Sequence, residues 1–154
     1  MDITAKLTEL GLELPKAAAP VAAYVPVVEH GGLLYVSGQL PFRDGQVVTG
    51  RLGDDMDVGG GQDAAQRVAL MLIAQLAQAL GGDLSRVERV IKLGVFVNSA
   101  PSFTDQAKVA NGASDLFETL FGEAGRHARA AVGVAVLPLG AAVEADAIVA
   151  VRPA

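Results

Sequence analysis

Charged side chains inside apolar strands are the residues of this sequence best suited to chemistry. Arg129 opens a segment of alanine, valine and glycine, and the small side chains of Ala131 and Gly133 leave room beside its guanidinium. Glu144 and Asp146 stand in a second apolar segment, where a carboxylate needs a partner, a proton or a water-lined cleft. Arg129 and Glu144 are therefore the leading candidates for a functional site.

The distance between these two residues depends on how their strands pair. If Leu137 to Gly140 forms a tight turn, Arg129 lies opposite Ile148, and Glu144 points to the same face four residues further along. At the rise of a β-strand this offset is about 13 Å, which is too far for a direct ion pair. A site that uses both would combine different strands or different subunits. In the alternative interpretation, Arg129 forms an interface salt bridge and the carboxylates lie on a solvated edge.

Other motifs point to no recognised catalytic arrangement. The sequence has no nucleophile elbow, P-loop or dinucleotide-binding fingerprint. The glycines at 59–61 precede a helical pattern and favour a flexible helix start over anion binding. His30 is expected in a solvated turn. For His127, two residues before Arg129, a structural or solvent role is favoured over catalysis because no triad partner can be named.

Composition limits the classes of function. The chain has 154 residues, enough for one domain spanning 1–154, and contains no cysteine. Disulfides, a thiolate nucleophile and a thiolate zinc site are excluded, and two histidines are too few for a histidine-rich metal site. The net charge of −5 argues against binding to nucleic acid. The mean hydropathy of +0.40 is high for a soluble monomer, so part of the apolar surface is expected in a subunit interface.

The sequence predicts a cytoplasmic protein with no membrane partner. Residues 1–15 carry four charged side chains and lack the uninterrupted apolar region of a signal peptide. The most apolar helical window, Val68 to Leu80, is interrupted by Gln75 and Gln78 and is too short to cross a bilayer.

Hydrophobic periodicity predicts an α+β domain with the element order ββ-α-β-α-ββ. A short helix from Ile3 to Leu10 and an alanine-rich segment up to residue 20 precede these elements. The predicted elements are strands at 21–28 and 33–36 joined by a turn at 30–32, a helix ending at Leu80 with Gly81 as its C-terminal cap, a strand at 87–97, a helix at 103–121 capped within Ser99 to Ser102, and strands at 128–136 and 142–151. Two helices pack on one face of a mixed sheet, and other subunits are expected to cover the opposite face.

Three segments of the sequence together form a recognisable pattern. The first places Tyr24 thirteen residues before Ser37-Gly38-Gln39. The second is the strand at 95–97, followed by a helix that carries Asn111. The third and most specific runs from Arg129 through Leu137-Pro138 to Glu144 and the strand at 143–148. These segments resemble the RidA/YjgF family of enamine and imine deaminases, formerly described as translation inhibitors or endoribonucleases, and the resemblance covers nearly the whole chain from Ala23 onward.

The resemblance implies a chorismate-mutase-like subunit that assembles as a homotrimer with clefts between subunits. It also implies hydrolysis of 2-aminoacrylate and related 2-imino acids, without a cofactor or a metal. In that chemistry Arg129 would bind the substrate carboxylate bidentately, and Glu144 would orient or activate the water that attacks the electrophilic imine carbon. The residues implied to line the cleft are Tyr24, Ser37, Gly38 and Asn111, with the backbone near Ala131 helping to hold the water.

Several positions depart from the family pattern. Many members have Gly-Pro where this chain has Ala22-Ala23, a cysteine where it has Ala131, and a glutamate where it has Asp146. Together with the N-terminal helix and the longer region at 43–61, these differences describe a divergent subgroup. Two alternatives therefore stand beside the deaminase. One is a trimer that binds a small carboxylate without turnover, and the other, which the acidic charge disfavours, is a ribonuclease.

Overall fold

The computed structural model describes residues 2–19 and 23–154 of the chain. The strand predicted from Val21 begins at Val27, and residues 20–22 lie outside the described part. Short 3-10 turns span Leu84–Arg86, Gly122–Gly125 and Pro138–Gly140. The helices and strands are α1 (Ile3–Glu9), β1 (Val27–His30), β2 (Leu33–Gln39), β3 (Phe42–Arg43), β4 (Gln46–Val47), α2 (Val58–Ala79), β5 (Val87–Asn98), α3 (Gln106–Phe121), β6 (Ala128–Val134) and β7 (Val143–Val151).

Five of the strands form one mixed sheet in the order β1-β2-β7-β5-β6. All neighbouring pairs are antiparallel except β5 with β6, which is parallel. Parallel neighbours need a crossover connection, and α3 supplies it. Helices α2 and α3 pack on each other and on one face of the sheet, where their buried apolar side chains join those of the strands in a single core. The predicted α+β class, with two helices on one face of a mixed sheet, is confirmed.

The predicted hairpin between β6 and β7 is wrong, because β5 lies between these two strands. Leu93 of β5 lies beside Arg129 on one side and beside Ala147 on the other. After the Pro138–Gly140 turn the chain does not return along β6. Instead, the Ala142 N–H donates to the Val48 carbonyl at 3.1 Å, and the Ala142 carbonyl accepts from the N–H of Asn98 at 2.9 Å. These bonds carry the chain across the end of β5 before β7 begins.

Helix α2 begins before the glycines at 59–61 rather than after them. The side chain of Asp57 accepts a hydrogen bond from the Gly60 N–H at 2.8 Å and so caps the helix. A Cβ on Gly61 would lie 2.8 Å from Leu52 Cδ1 and 3.0 Å from Val109 Cγ2, so glycine is required there by close packing. The other end agrees with the prediction, since Gly81 follows the helix with a φ of 63°.

Helix α3 begins at Gln106, later than predicted, because the serine expected to cap it has another role. The Ser99 hydroxyl donates to the Val97 carbonyl at 3.2 Å, and the Ser99 N–H donates to the Val134 carbonyl at 3.2 Å. Pro101 lies in the turn that follows. The predicted N-terminal cap within Ser99 to Ser102 is therefore wrong.

A small hairpin lies at the start of the longer region at 43–61. Strands β3 and β4 pair through a turn in which Asp44 and Gly45 have φ values of 52° and 77°. No helix among the described residues is long and apolar enough to cross a membrane.

The sheet has one core face and one open face, which β7 displays most clearly. Its buried side chains alternate with the half-buried side chains of Glu144, Asp146, Ile148 and Ala150. On the open face, Tyr35 of β2 pairs with Ile148, and Val132 of β6 and Glu144 both pair with Phe96. Tyr35 and Val132 remain 43% and 47% exposed. This face carries the uncovered apolar surface that the composition predicted.

Candidate functional site

The Arg129 guanidinium is held against helix α3 by three neutral oxygens. Its Nη1 donates to Oδ1 of Asn111 at 2.9 Å and to Oγ of Ser114 at 3.0 Å, and its Nη2 donates to the Ala107 carbonyl at 3.2 Å. No carboxylate among the described residues forms an ion pair with it. A guanidinium has five N–H groups, so the Nε–H and one Nη2 N–H make no hydrogen bond within the described chain. Arg129 is a positioned cation with donors left for an anion.

His127 is connected to Arg129 through the Ser114 hydroxyl. Its Nε2 lies 2.9 Å from the Ser114 hydroxyl, and its Nδ1 lies 2.6 Å from the Gly125 carbonyl. The Phe117 ring packs edge-on against the imidazole, with a centroid distance of 6.0 Å. A shallow cavity of about 200 Å³ opens beside these groups and is lined by Ser114, Glu118, Gly125, Arg126, His127 and Arg129.

The pKa of His127 lies below its usual value, mainly because half-burial disfavours the charged ring. The hydrogen bond to Gly125 raises this pKa, the charge of Arg129 lowers it and the charge of Glu118 raises it, in decreasing order of effect. The ring is therefore neutral at pH 7, with one nitrogen protonated.

Sequence reasoning missed Ala107 and Ser114 as partners of the arginine. The signal was present on helix α3, because Ala107, Asn111 and Ser114 follow the i, i+4, i+7 spacing of one helical face. The sequence alone does not predict that β6 lies next to that face. His30, by contrast, lies exposed at the end of β1, as expected.

Glu144 lies on the open face of the sheet, next to the bulge in β2. A Cβ on Gly38 would lie 3.0 Å from Cδ and Oε1 of Glu144, so the carboxylate packs against the glycine backbone. Half-burial, and secondarily the neighbouring charge of Asp146, raise the pKa of Glu144. Asp146 packs in the same way on Gly94, where a Cβ would lie 2.5 Å from Oδ1. The structure thus brings the side chain of Glu144 against Gly38.

The remaining predicted residues lie on β2 and before β1. The Ser37 hydroxyl donates to the Pro26 carbonyl at 3.1 Å and lies 3.4 Å from Nε2 of Gln39. Gln75, which is 1% exposed, donates to Oε1 of Gln39 at 3.2 Å and connects this strand to α2. Tyr24 is 46% exposed and makes no side-chain hydrogen bond within the described chain.

Arg129 and Glu144 lie on opposite faces of the sheet. The β5 neighbour of Arg129 is Leu93, which is buried beneath the helices, whereas the β5 neighbour of Glu144 is Phe96 on the open face. Their backbones are separated by about 10 Å across two strand spacings and by about 10 Å along β5. The predicted shared face is therefore wrong. In one copy of the chain, the predicted site residues therefore form two separate groups.

Ala131 lies two residues beyond Arg129, on the same face of β6 and opposite Val95. Its methyl group supplies no polar atom, so any contact with a water must come from its backbone. Within residues 2–19 and 23–154, no group of three histidine or carboxylate side chains is arranged to hold a metal ion.

Comparison with known proteins places the chain in a family. The family described as "YjgF/chorismate mutase-like, putative endoribonuclease" matches residues 4–147. The protein TCP17 from Trypanosoma cruzi is 58% identical over 149 residues, which are 96% of this chain and 92% of that protein. A 2-iminobutanoate/2-iminopropanoate deaminase from Dermatophagoides farinae is 29% identical over 143 residues, covering 92% of this chain and 95% of that protein.

The fold is shared with a solved member. The crystal structure of Escherichia coli TdcF with bound serine is 26% identical, covers 90% of this chain and 94% of that one, and superposes with a TM-score of 0.61. The chain therefore belongs to the YjgF family, also named RidA, and has its chorismate-mutase-like fold. The 58% identity to TCP17 is twice the 29% identity to the deaminase, which agrees with the divergent subgroup that the sequence indicated.

Proposed function

We propose that this chain is a cofactor-independent hydrolase that converts small 2-imino acids to 2-oxo acids and ammonia. The observation that carries the proposal is the Arg129 guanidinium, which neutral oxygens position and which no carboxylate within the described chain neutralises. Its free Nε–H and Nη2 N–H groups are suited to a substrate carboxylate. The name of the deaminase from Dermatophagoides farinae and the serine bound to TdcF both point to small amino-acid-like ligands.

The protein needs to supply few catalytic groups for this reaction, because the carbon of a protonated imine is already electrophilic. A water oxygen adds to this carbon and forms a carbinolamine, while the water proton passes to a base. The base returns this proton to the amino nitrogen of the carbinolamine. The base then takes the hydroxyl proton as the C=O bond forms, the C–N bond breaks and ammonia leaves. Binding the carboxylate at Arg129 fixes the imine carbon relative to the base, which lowers the entropic part of the barrier.

Glu144 is the base in this proposal. Its raised pKa makes the carboxylate a stronger base than an exposed glutamate, and half-burial limits competition from bulk water. The residues proposed to complete the cleft are Ser37 and Gly38 near Glu144, Asn111 and Ala131 near Arg129, and Tyr24, which precedes β1. Because Arg129 and Glu144 lie on opposite faces of the sheet, the cleft must combine them from two copies of the chain.

A homotrimer is the assembly proposed to bring them together. The open face carries apolar side chains, including Tyr35 and Val132, in amounts that favour burial against other copies. In a closed ring each interface is equivalent, so three copies form three clefts. The proposal includes the cytoplasmic location that the sequence predicts.

The test is hydrolysis of 2-iminobutanoate, generated in situ by an amino acid oxidase acting on 2-aminobutyrate. Residual imine is trapped with semicarbazide, and its faster disappearance reports hydrolysis. The Arg129→Ala variant should lose about 100-fold or more in kcat/KM, since two charge-assisted hydrogen bonds are removed. The Arg43→Ala variant, which loses an exposed arginine paired with Asp63, is the matched control. No acceleration by the wild type, or full acceleration by Arg129→Ala, contradicts the proposal.

The second candidate is a trimeric module that binds a small carboxylate without turning it over. The methyl group of Ala131, at the position where many relatives carry a cysteine, favours it because one polar group is missing beside the arginine. Binding of 2-oxobutyrate that depends on Arg129, together with no hydrolysis of the imine, would support this candidate.

Ribonuclease activity has less support. The chain has a net charge of −5, and several of its basic side chains are paired with carboxylates: Arg43 with Asp63, Lys108 with Asp105, and Arg126 with Glu118 and Glu123. A phosphate backbone would need free basic groups. Absence of RNA binding at low salt would exclude this activity.

A further inference from the structure

A directed chain of hydrogen bonds connects Arg129 to His127, a residue that the proposed reaction does not use. The Gly125 carbonyl can only accept, so Nδ1 of His127 carries the proton of the neutral ring. Nε2 then accepts from the Ser114 hydroxyl, whose oxygen in turn accepts from Nη1 of Arg129. This network assigns the tautomer, and every donor in it has one acceptor.

The charges around the imidazole come from three elements. Helix α3 contributes Glu118, strand β6 contributes Arg129, and the segment between them contributes Arg126. Arg126 lies 3.8 Å from Glu118 and 3.6 Å from Glu123, so its charge is partly compensated. The charge of Arg129 has no carboxylate partner within the described chain. Arg129 is therefore the uncompensated cation of this cluster.

We propose that Ser114 and His127 are positioning residues for Arg129, and that carboxylate binding at Arg129 is coupled to protonation of the His127 ring. The inference rests on the carboxylate-binding role proposed above for Arg129. It adds which residues orient the guanidinium and why carboxylate binding depends on pH. Ser114 holds one end of the guanidinium, and His127 fixes the direction of the Ser114 hydroxyl. The two free N–H groups of Arg129 consequently keep one direction before a ligand arrives.

The coupling follows from charge. The uncompensated cation at Arg129 disfavours a second positive charge on His127, and a bound carboxylate removes that repulsion. The protonated ring then forms more easily in the complex than in the free protein. By linkage, the affinity for the carboxylate must increase as the pH falls through the range in which His127 titrates. The Ser114 oxygen can accept from both His127 and Arg129, so the anchor survives protonation.

The test uses 2-oxobutyrate, a stable 2-oxo acid, with calorimetric titrations between about pH 5 and pH 8. Wild-type affinity should increase toward the lower pH. Ser114→Ala should weaken binding roughly two- to tenfold at every pH, because the arginine loses its preorganised rotamer. Ser114→Thr keeps the hydroxyl and should restore the affinity. His127→Gln offers the Ser114 hydroxyl an amide oxygen that does not ionise, so it should retain binding at high pH and lose the increase.

Nuclear magnetic resonance supplies a readout that needs no variant to fold. The chain has two histidines, and saturating 2-oxobutyrate should raise the pKa of the His127 ring. His30→Gln is the matched control for the calorimetry and should bind as the wild type does. An unchanged His127 titration, or wild-type affinity and pH dependence in both Ser114→Ala and His127→Gln, overturns the inference. Undiminished binding by Arg129→Ala would instead overturn the arginine's role in the proposed function.

Discussion

Arg129 and Glu144 point to opposite faces of one sheet, with the whole of strand β5 between the strands that carry them. The arginine is anchored on helix α3, whereas the carboxylate packs on Gly38 at the open face. No rotamer change brings two side chains through a sheet whose β5 residue Leu93 is fully buried. If both residues take part in one reaction, they must therefore come from different copies of the chain.

Mixing two inactive variants should restore activity. Arg129→Ala retains Glu144, and Glu144→Gln retains Arg129, so a mixed trimer contains some clefts with both intact residues. Random 1:1 mixing should recover roughly a quarter of wild-type activity, because each cleft draws on two independently chosen subunits. The measurement is imine hydrolysis after the variants are unfolded and refolded together. Activity that stays at the level of the separate variants would show that each cleft takes both residues from one subunit.

The open face should control assembly. Val132→Asp places a carboxylate at a position that is 47% exposed in the isolated chain and that a trimer would bury. Burying an unpaired charge costs several kcal/mol, so the trimer should weaken by more than about 100-fold in its dissociation constant. Sedimentation velocity measures the change. Leu10→Asp is the control, since Leu10 is 46% exposed at the end of α1 and away from the sheet. A Val132→Asp protein that remains trimeric would contradict this role for the face.

These two predictions rest on the open apolar face and on the strand order, and only the first could be predicted from the sequence. The elements around α2, β5 and β7 follow from hydrophobic periodicity, and the uncovered apolar face follows from the composition. The strand order does not, because the segment from Leu137 to Gly140 reads as a hairpin turn until its neighbours Val48 and Asn98 are known. Hydrogen bonds between residues distant in the chain decide which strand lies beside which.

The candidate site shows the same limit. The sequence identifies Arg129 and Glu144 as charged residues in apolar segments, whereas Asn111 is implied only by the resemblance. The contact between Ser114 and His127 could not be predicted from the sequence, because it depends on the start of β6 lying beside the middle of α3. No local sequence pattern around the serine in the helix or the histidine before the strand predicts this contact.

The pH dependence of hydrolysis should reflect the environment of Glu144. The base must be ionised, and its pKa is raised above the ordinary value of 4.5 by burial first and by Asp146 second. Activity should therefore begin to fall at a higher pH than it would for an exposed glutamate. Asp146→Asn removes the second contribution and should move the acid limb of kcat/KM to lower pH. An acid limb that Asp146→Asn leaves in place would argue against Glu144 as the base.

Two glycine substitutions should separate function from stability. In Gly38→Ala the new Cβ would lie 3.0 Å from Cδ and Oε1 of Glu144, so the carboxylate must move and activity should fall while the fold is retained. Gly112→Ala instead places a Cβ against the backbone carbonyl of Gln62, where α2 and α3 cross. That contact cannot move easily, and the free energy of unfolding should decrease by about 1–3 kcal/mol. Urea unfolding and the imine assay on both variants check the contrast, which equal stability losses would contradict.

The stability of the protein should decrease as the pH falls below about 6.5, and His127 should be responsible for part of the decrease. Its pKa is 6.5 in an unfolded chain and lower in the folded protein, mainly through burial. Below pH 6.5 the unfolded state therefore binds a proton that the folded state takes up only at lower pH, and this uptake favours unfolding. Urea titrations at a fixed protein concentration, at about pH 7.5 and pH 5.5, measure the effect. His127→Gln cannot ionise and should flatten the difference, whereas His30→Gln, whose side chain is exposed, should keep it. If both variants retain the wild-type difference, the burial of His127 is not its source.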